Sequence, residues 1–350
     1  MDRVINVFGF ISIIRLFICA EGYDVIWNVP SEMCHKHGFN FSQVSKNGII
    51  QNSGDSFKGN HMVILYDPGL FPAILSSGDR NGGVPQEGNL DIHLRKFAND
   101  LKKAVPSEDF NGIGVIDFEH WRPVWRENWS ALDVYRQRSC EIEQKKHPRE
   151  TKSVIEKQAK NRFEKAAVAF MDSSLNLARK LRPKGRWGFY AFPYCFNFTP
   201  KNNYMKCSAE TKDDNDRSYW MWKTGNALFP SAYIHEKKLP MAKRAKMIEG
   251  RTTEGLRVAS KKSTSLPVYV YVSMKYQDTF AFLSKGDMKS NLEVPKRAGA
   301  AGVIIWGSSQ DTNSPKKCSK LNDYVDNILV PLLNGTKPDH PNSNNILDWF

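Results

Sequence analysis

Seven short runs of apolar, β-branched or aromatic residues, separated by long segments with helical periodicity, narrow the folds open to this chain more than any other feature. The runs cover 23–29, 62–66, 113–119, 187–192, 227–233, 268–272 and 302–306. Between the third and fourth, Ala159, Phe163, Ala167, Phe170, Ser174, Ala178 and Leu181 recur at three and four until Pro183 and Gly185 end the pattern. Further helical segments span about 240–260 and 287–297, each followed by another strand. Strand and helix therefore alternate. Such a chain closes into a (β/α) barrel or spreads into a doubly wound sheet, and the pattern alone admits both. No GxGxxG follows the first run, which removes the usual support for a dinucleotide-binding sheet. With 350 residues and no internal repeat or interdomain linker, a single α/β domain over 21–338 is expected, followed by a polar tail over 339–350.

The net charge of +13 concentrates polyanions of any kind near the surface. Its Lys and Arg are scattered, and no zinc-finger spacing or RNP-type aromatic signature favours nucleic acid. Residues 1–20 read as a secretory signal with a short charged start, an apolar stretch from Val4 and a small residue, Ala20, for cleavage. A chain exported without a membrane anchor is expected. Four sequons, at Asn40, Asn128, Asn197 and Asn334, agree with that route. Loss of the signal takes Cys19 away and leaves five cysteines, so at least one thiol stays unpaired. No CxxC pair or Cys/His cluster offers metal ligands, and neither a metal nor another cofactor is expected.

The chemistry concentrates in Gly112-Ile113-Gly114-Val115-Ile116-Asp117-Phe118-Glu119-His120-Trp121-Arg122-Pro123. Strand side chains alternate, so Asp117 and Glu119 project to one side where an apolar run ends. Two carboxylates forced together at a strand's C-terminal end cannot both ionise freely, and one is pushed to hold a proton as a general acid. The competing reading makes them salt-bridge partners of Arg122 or Arg126. Trp121, Trp125 and Trp129 suit sugar stacking, but their spacing of four equally suits a packed helical face, the better reading for Trp125 and Trp129.

The same segment resembles the hallmark of the animal hyaluronidases, and most nearly the venom and salivary enzymes of insects. Further motifs extend the likeness over most of the chain: Trp27-Asn28-Val29-Pro30, Tyr66-Asp67-Pro68-Gly69, Arg80-Asn81-Gly82-Gly83-Val84-Pro85-Gln86, Phe189-Tyr190-Ala191-Phe192-Pro193-Tyr194-Cys195, Pro230-Ser231-Ala232-Tyr233, Tyr276-Gln277-Asp278 and Ile305-Trp306-Gly307-Ser308-Ser309. The resemblance implies a distorted TIM-like barrel of seven strands, acting as a monomer on hyaluronan or a related anionic glycosaminoglycan. It implies substrate assistance, in which the sugar's acetamido oxygen attacks its own anomeric carbon. Glu119 would then be acid and base, and Asp117 would orient the acetamido group. Tyr66, Tyr190, Tyr233, Trp306, Ser308, Ser309, Arg122 and Arg251 match family positions at or near the substrate. The family also implies the pairs Cys34–Cys318 and Cys195–Cys207, which leaves Cys140 free.

Two positions and one segment depart from the family pattern. His120 stands where Arg is usual, Gln310 replaces a common acid, and Val268 to Met274 is less aromatic. They bear on pH optimum and substrate preference, since both carboxylates remain. A non-catalytic hyaluronan-binding relative is the rival from another class, and retention of Asp117 and Glu119 argues against it. A chitinase-like hydrolase would carry DxxDxDxE, which is absent.

Overall fold

In the computed structural model, which describes residues 22–334, seven parallel strands form a ring: β1 (Asp24–Asn28), β2 (Met62–Tyr66), β3 (Ile113–Asp117), β4 (Arg186–Ala191), β5 (Phe229–Pro230), β6 (Tyr269–Ser273) and β7 (Gly302–Trp306). Continuous ladders join β2 through β5 in chain order, and β7 lies between β6 and β1. Bridges from Leu228 to Val268 and from Ser231 to Tyr271 connect β5 with β6. At the remaining seam Ile50 pairs with β1, and the Asn52 side-chain amide holds both the N–H and the carbonyl of Met62 at 2.9 Å. The fold is a single-domain TIM-like barrel, so the doubly wound alternative falls away. The expected export signal, 1–20, and the tail, 339–350, lie outside the described residues.

Strand alternation sorts the side chains into two apolar layers. Ile26, Met62, Ile64, Ile113, Val115, Phe229, Tyr271 and Ile304 fill the barrel interior, whereas Trp27, Val63, Leu65, Ile116, Trp187 and Ile305 face the surrounding helices. Gly114 makes room on β3, because a Cβ there would meet the Trp187 ring at 2.3 Å.

The helix Lys152–Leu181 buries Ala159, Phe163, Ala167, Phe170, Leu175 and Ala178 along one stripe, and the Thr151 side chain caps its start. The segments expected around 240–260 and 287–297 form Met241–Ala259 and Lys285–Ala298. Periodicity does not reveal Asp133–Lys146, since its buried face is Tyr135, Ser139 and Glu143, with Glu143 ion-paired to Arg162 on the neighbouring helix. A hairpin, Ala73–Leu75 against Gly78–Arg80, is likewise too short to carry a pattern. No helix among the described residues is long and apolar enough to cross a membrane.

Disulfides join Cys34 to Cys318 and Cys195 to Cys207, and Cys140 is free. Two expected glycan positions are corrected by the fold. Asn128 is fully buried and its amide donates to the carbonyls of Arg122 and Val124, while Asn197 is buried and donates to those of Met205 and Met247. A glycan on either nitrogen would break these bonds and have no exit to solvent. Asn40 is exposed, and the side chain of Asn334 lies outside what is described.

Candidate active site

The period of two that packs the barrel interior also selects what stands at its rim. On β3 the inward positions run Ile113, Val115, Asp117; on β2 they run Met62, Ile64, Tyr66; on β7 they end at Trp306. Glu119 lies just past the end of β3 and meets Asp117 at one cavity. That cavity, of about 250 Å³, is lined by Ile64, Asp117, Glu119, Tyr190, Tyr233, Gln277 and Trp306. Tyr233 stacks on Trp306 at 5.9 Å, and Trp306 Nε1 donates to the Tyr66 hydroxyl at 2.8 Å. A second hollow of about 190 Å³ shares Glu119 and Tyr190 and adds Ser231 and Arg251.

Burial dominates the electrostatics of the pair. It acts first on Asp117, with the nearby charges of Glu119 and then Asp67 adding to it, and pushes that carboxyl up to about 7. Burial also raises Glu119, opposed by the positive fields of Arg122 and His120. With both carboxyls raised, the pair is pushed to hold a proton near neutral pH. Arg122 is positioned by three aromatic faces, with its guanidinium carbon 5.3 Å from the Trp129 ring, 4.8 Å from Tyr194 and 5.3 Å from Phe196. It also donates to the Glu127 carbonyl at 2.6 Å.

Beside the pair lies a network that sequence reasoning did not single out. Asp67, at φ 44°, accepts from Arg80 at 2.5 and 2.8 Å and sits 3.2 Å from His120 Nε2. Burial alone would raise Asp67, but hydrogen bonds from His120 and Arg80, with their charges, hold it below the usual carboxylate value. The hairpin delivers Arg80 to this turn. The turn and motif residues were visible in sequence, but their meeting was not. Gln277 was likewise visible only as part of a motif.

Of the expected site residues, Asp117, Glu119, Tyr190, Tyr233 and Trp306 converge on the first cavity, and Tyr66 closes its edge through Trp306. Arg251 lines the second hollow, where burial lowers its pKa to about 10, and it donates to the Ser231 carbonyl and Asn197. Ser308 and Ser309 line neither. Ser308 instead caps the turn after β7 by bonding Asp311. Trp125 is buried as expected, but Trp129 is 45% exposed, because the chain there makes 3-10 turns and not a continuous helix with one packed face.

A family model described as hyaluronidase matches residues 15–339. The chain belongs to the hyaluronidase family. It is 43% identical to a hyaluronidase of Apis mellifera over 88% of this chain and 83% of that protein, and 42% identical to one of Polistes annularis over 88% and 86%. Its structure superposes on bee venom hyaluronidase in complex with a hyaluronic acid tetramer with a TM-score of 0.87 at 42% identity, covering 89% of this chain and 98% of that one. The barrel is thus that of a glycoside hydrolase of this family.

The raised Asp117 of this hyaluronidase-family barrel gives a stability prediction. Its folded pKa lies above the unfolded value, so the folded state binds the extra proton between about pH 4 and about 7. The corresponding stability is fully present below the lower limit and is lost as pH rises toward the upper one. Asp117→Asn is expected to flatten the fall in melting temperature between pH 5 and pH 7.5, as followed by circular dichroism. An unchanged pH slope in the variant would show that Asp117 is not the group responsible.

Proposed function

We propose that the chain is a secreted endo-β-N-acetylhexosaminidase that hydrolyses hyaluronan at the β-1,4 bond following N-acetylglucosamine, with retention of configuration. The observation that carries this reading is the convergence of Asp117 and Glu119 on one sugar-sized cavity, walled by Tyr190, Tyr233 and Trp306 at the barrel rim. Aromatic faces suit the apolar face of a sugar ring, and the buried carboxyl pair retains the proton that the leaving oxygen needs.

The acetamido carbonyl oxygen of the bound N-acetylglucosamine attacks the anomeric carbon as the glycosidic bond breaks, and Glu119 gives its proton to the departing oxygen. The acetamido N–H presented to Asp117 favours its ionised form, which moves the pair's proton to Glu119 at the moment it is required. Ionised Asp117 then stabilises the positive charge developing on the cyclic intermediate. Glu119 next takes a proton from water as that water opens the ring, so the net change is addition of one water across the bond.

The test is mass spectrometry of the products from hyaluronan and chondroitin digested in parallel. Even-numbered, saturated oligosaccharides ending in N-acetylhexosamine are expected from hyaluronan, and the chondroitin arm reports how far the substrate range extends. Unsaturated ends would mean elimination and defeat the mechanism. No cleavage of hyaluronan would defeat the assigned substrate.

A further inference from the structure

Beyond the Tyr66–Trp306 contact lies an open hollow of about 530 Å³ that the catalytic pair does not use. Its chemistry is set by Lys58, Lys96 and Lys103, opposed by Asp67 and Asp100, with Tyr66 as one wall. The acids are already engaged. Asp67 is held by Arg80 and His120, and Asp100 pairs with Lys96 and accepts from the Gly69 N–H at 2.8 Å. That leaves the exposed ammonium groups of Lys58 and Lys103 facing the hollow without a carboxylate partner among the described residues.

Tyr66 ties this hollow to the cleft. Its ring is 46% exposed, stacks on Phe57 at 6.1 Å and bonds Trp306, which walls the sugar cavity. A polysaccharide leaving the cavity across Tyr66 would enter the hollow that both free lysines line. A point charge on a flexible stem suits a mobile anionic substituent on a sugar better than it suits a fixed bidentate ligand.

We infer that Lys58 and Lys103 form an anion subsite, separate from the catalytic cavity, which holds the carboxylate or sulfate ester of a glycosaminoglycan unit extending past Tyr66. This rests on the proposed hydrolysis of an anionic glycan. The subsite would act on binding of long chains, where attraction to the two ammonium groups adds to what the cavity provides. Its contribution would weaken with salt, because both groups are exposed.

The experiment compares wild type, Lys58→Ala/Lys103→Ala and Lys58→Glu/Lys103→Glu in steady-state hydrolysis of long hyaluronan and of chondroitin with and without sulfation. A Lys237→Ala/Lys238→Ala variant removes the same net charge from another exposed segment and serves as the control. The double alanine variant is expected to raise KM for the polymer about five- to ten-fold at low salt, and charge reversal to raise it more, with kcat little changed. A larger shift on the sulfated polymer assigns the subsite to sulfate esters, and an equal shift assigns it to carboxylates. A KM unchanged, or moved only as far as in the Lys237/Lys238 control, would overturn the subsite while leaving the proposed activity standing. Failure of wild type to cleave any of these polymers would instead sink the functional reading beneath it.

Discussion

Glu119→Gln is expected to lower kcat on hyaluronan by roughly 10²- to 10⁴-fold while the barrel stays folded. The amide keeps the size of the side chain and its place in the cavity, but it has no proton acidic enough for the leaving oxygen. The same residue must afterwards take a proton from water, so both halves of the reaction suffer from one substitution. Binding should survive, since the walls formed by Tyr190, Tyr233 and Trp306 are untouched. The fold should survive too, because the substitution replaces a buried ionisable group by a neutral one of similar shape. Reducing-end release measured beside circular dichroism separates loss of chemistry from loss of structure. If a folded Glu119→Gln protein keeps more than about a tenth of wild-type kcat, Glu119 is not the acid.

Asp117→Asn should also be strongly impaired, for a different reason. A neutral amide cannot stabilise the charge that develops on the acetamido group, although the proton on Glu119 remains available. The proposed mechanism has the two carboxylates act on one sugar with one shared proton, so the double substitution should cost much less than the product of the single losses.

The seven apolar runs all reappear as barrel strands because each is buried on both faces, and such burial leaves a continuous signature in sequence. Their ends shift by up to three residues. Glu119, read as the last residue of a strand, lies beyond β3, which ends at Asp117. The shared cavity nevertheless follows from local spacing, since Asp117 and Glu119 are two residues apart. What spacing cannot convey is contact between distant segments. Arg80, His120 and Asp67 meet only because a hairpin of two three-residue strands folds back on the turn after β2, and no periodicity marks that event. Asn128 and Asn197 mislead for a related reason. The sequon says nothing of how the chain folds around it: Asn128 is turned onto the carbonyls of Arg122 and Val124 in its own turn, and Asn197 onto that of Met247, fifty residues away.

Cys34→Ser/Cys318→Ser should be the most destabilising of the simple cysteine replacements. The bond spans 284 residues, against 12 for Cys195–Cys207. Loop-closure entropy therefore assigns it about 5.6 kcal/mol, compared with about 2.8 kcal/mol for the shorter loop. For a chain of this size these losses correspond to a melting temperature lower by roughly 8 °C without the long-range bond and roughly 4 °C without the short one. The long bond ties the 3-10 turn Ser31–His37 after β1 to the helix Pro315–Tyr324 after β7. Those strands are already neighbours through the pairing of Asp24 with Gly302 onward, so the bond fastens a seam whose ladder is formed. The seam also borders the candidate site, because β7 ends at Trp306, which lines the cavity shared by Asp117 and Glu119. Loss of the bond should shorten the half-life of activity on warming more than it lowers initial kcat. Thermal melts of both double-serine variants decide the matter: equal shifts, or none, would mean that the strand ladder alone holds the first and last elements together.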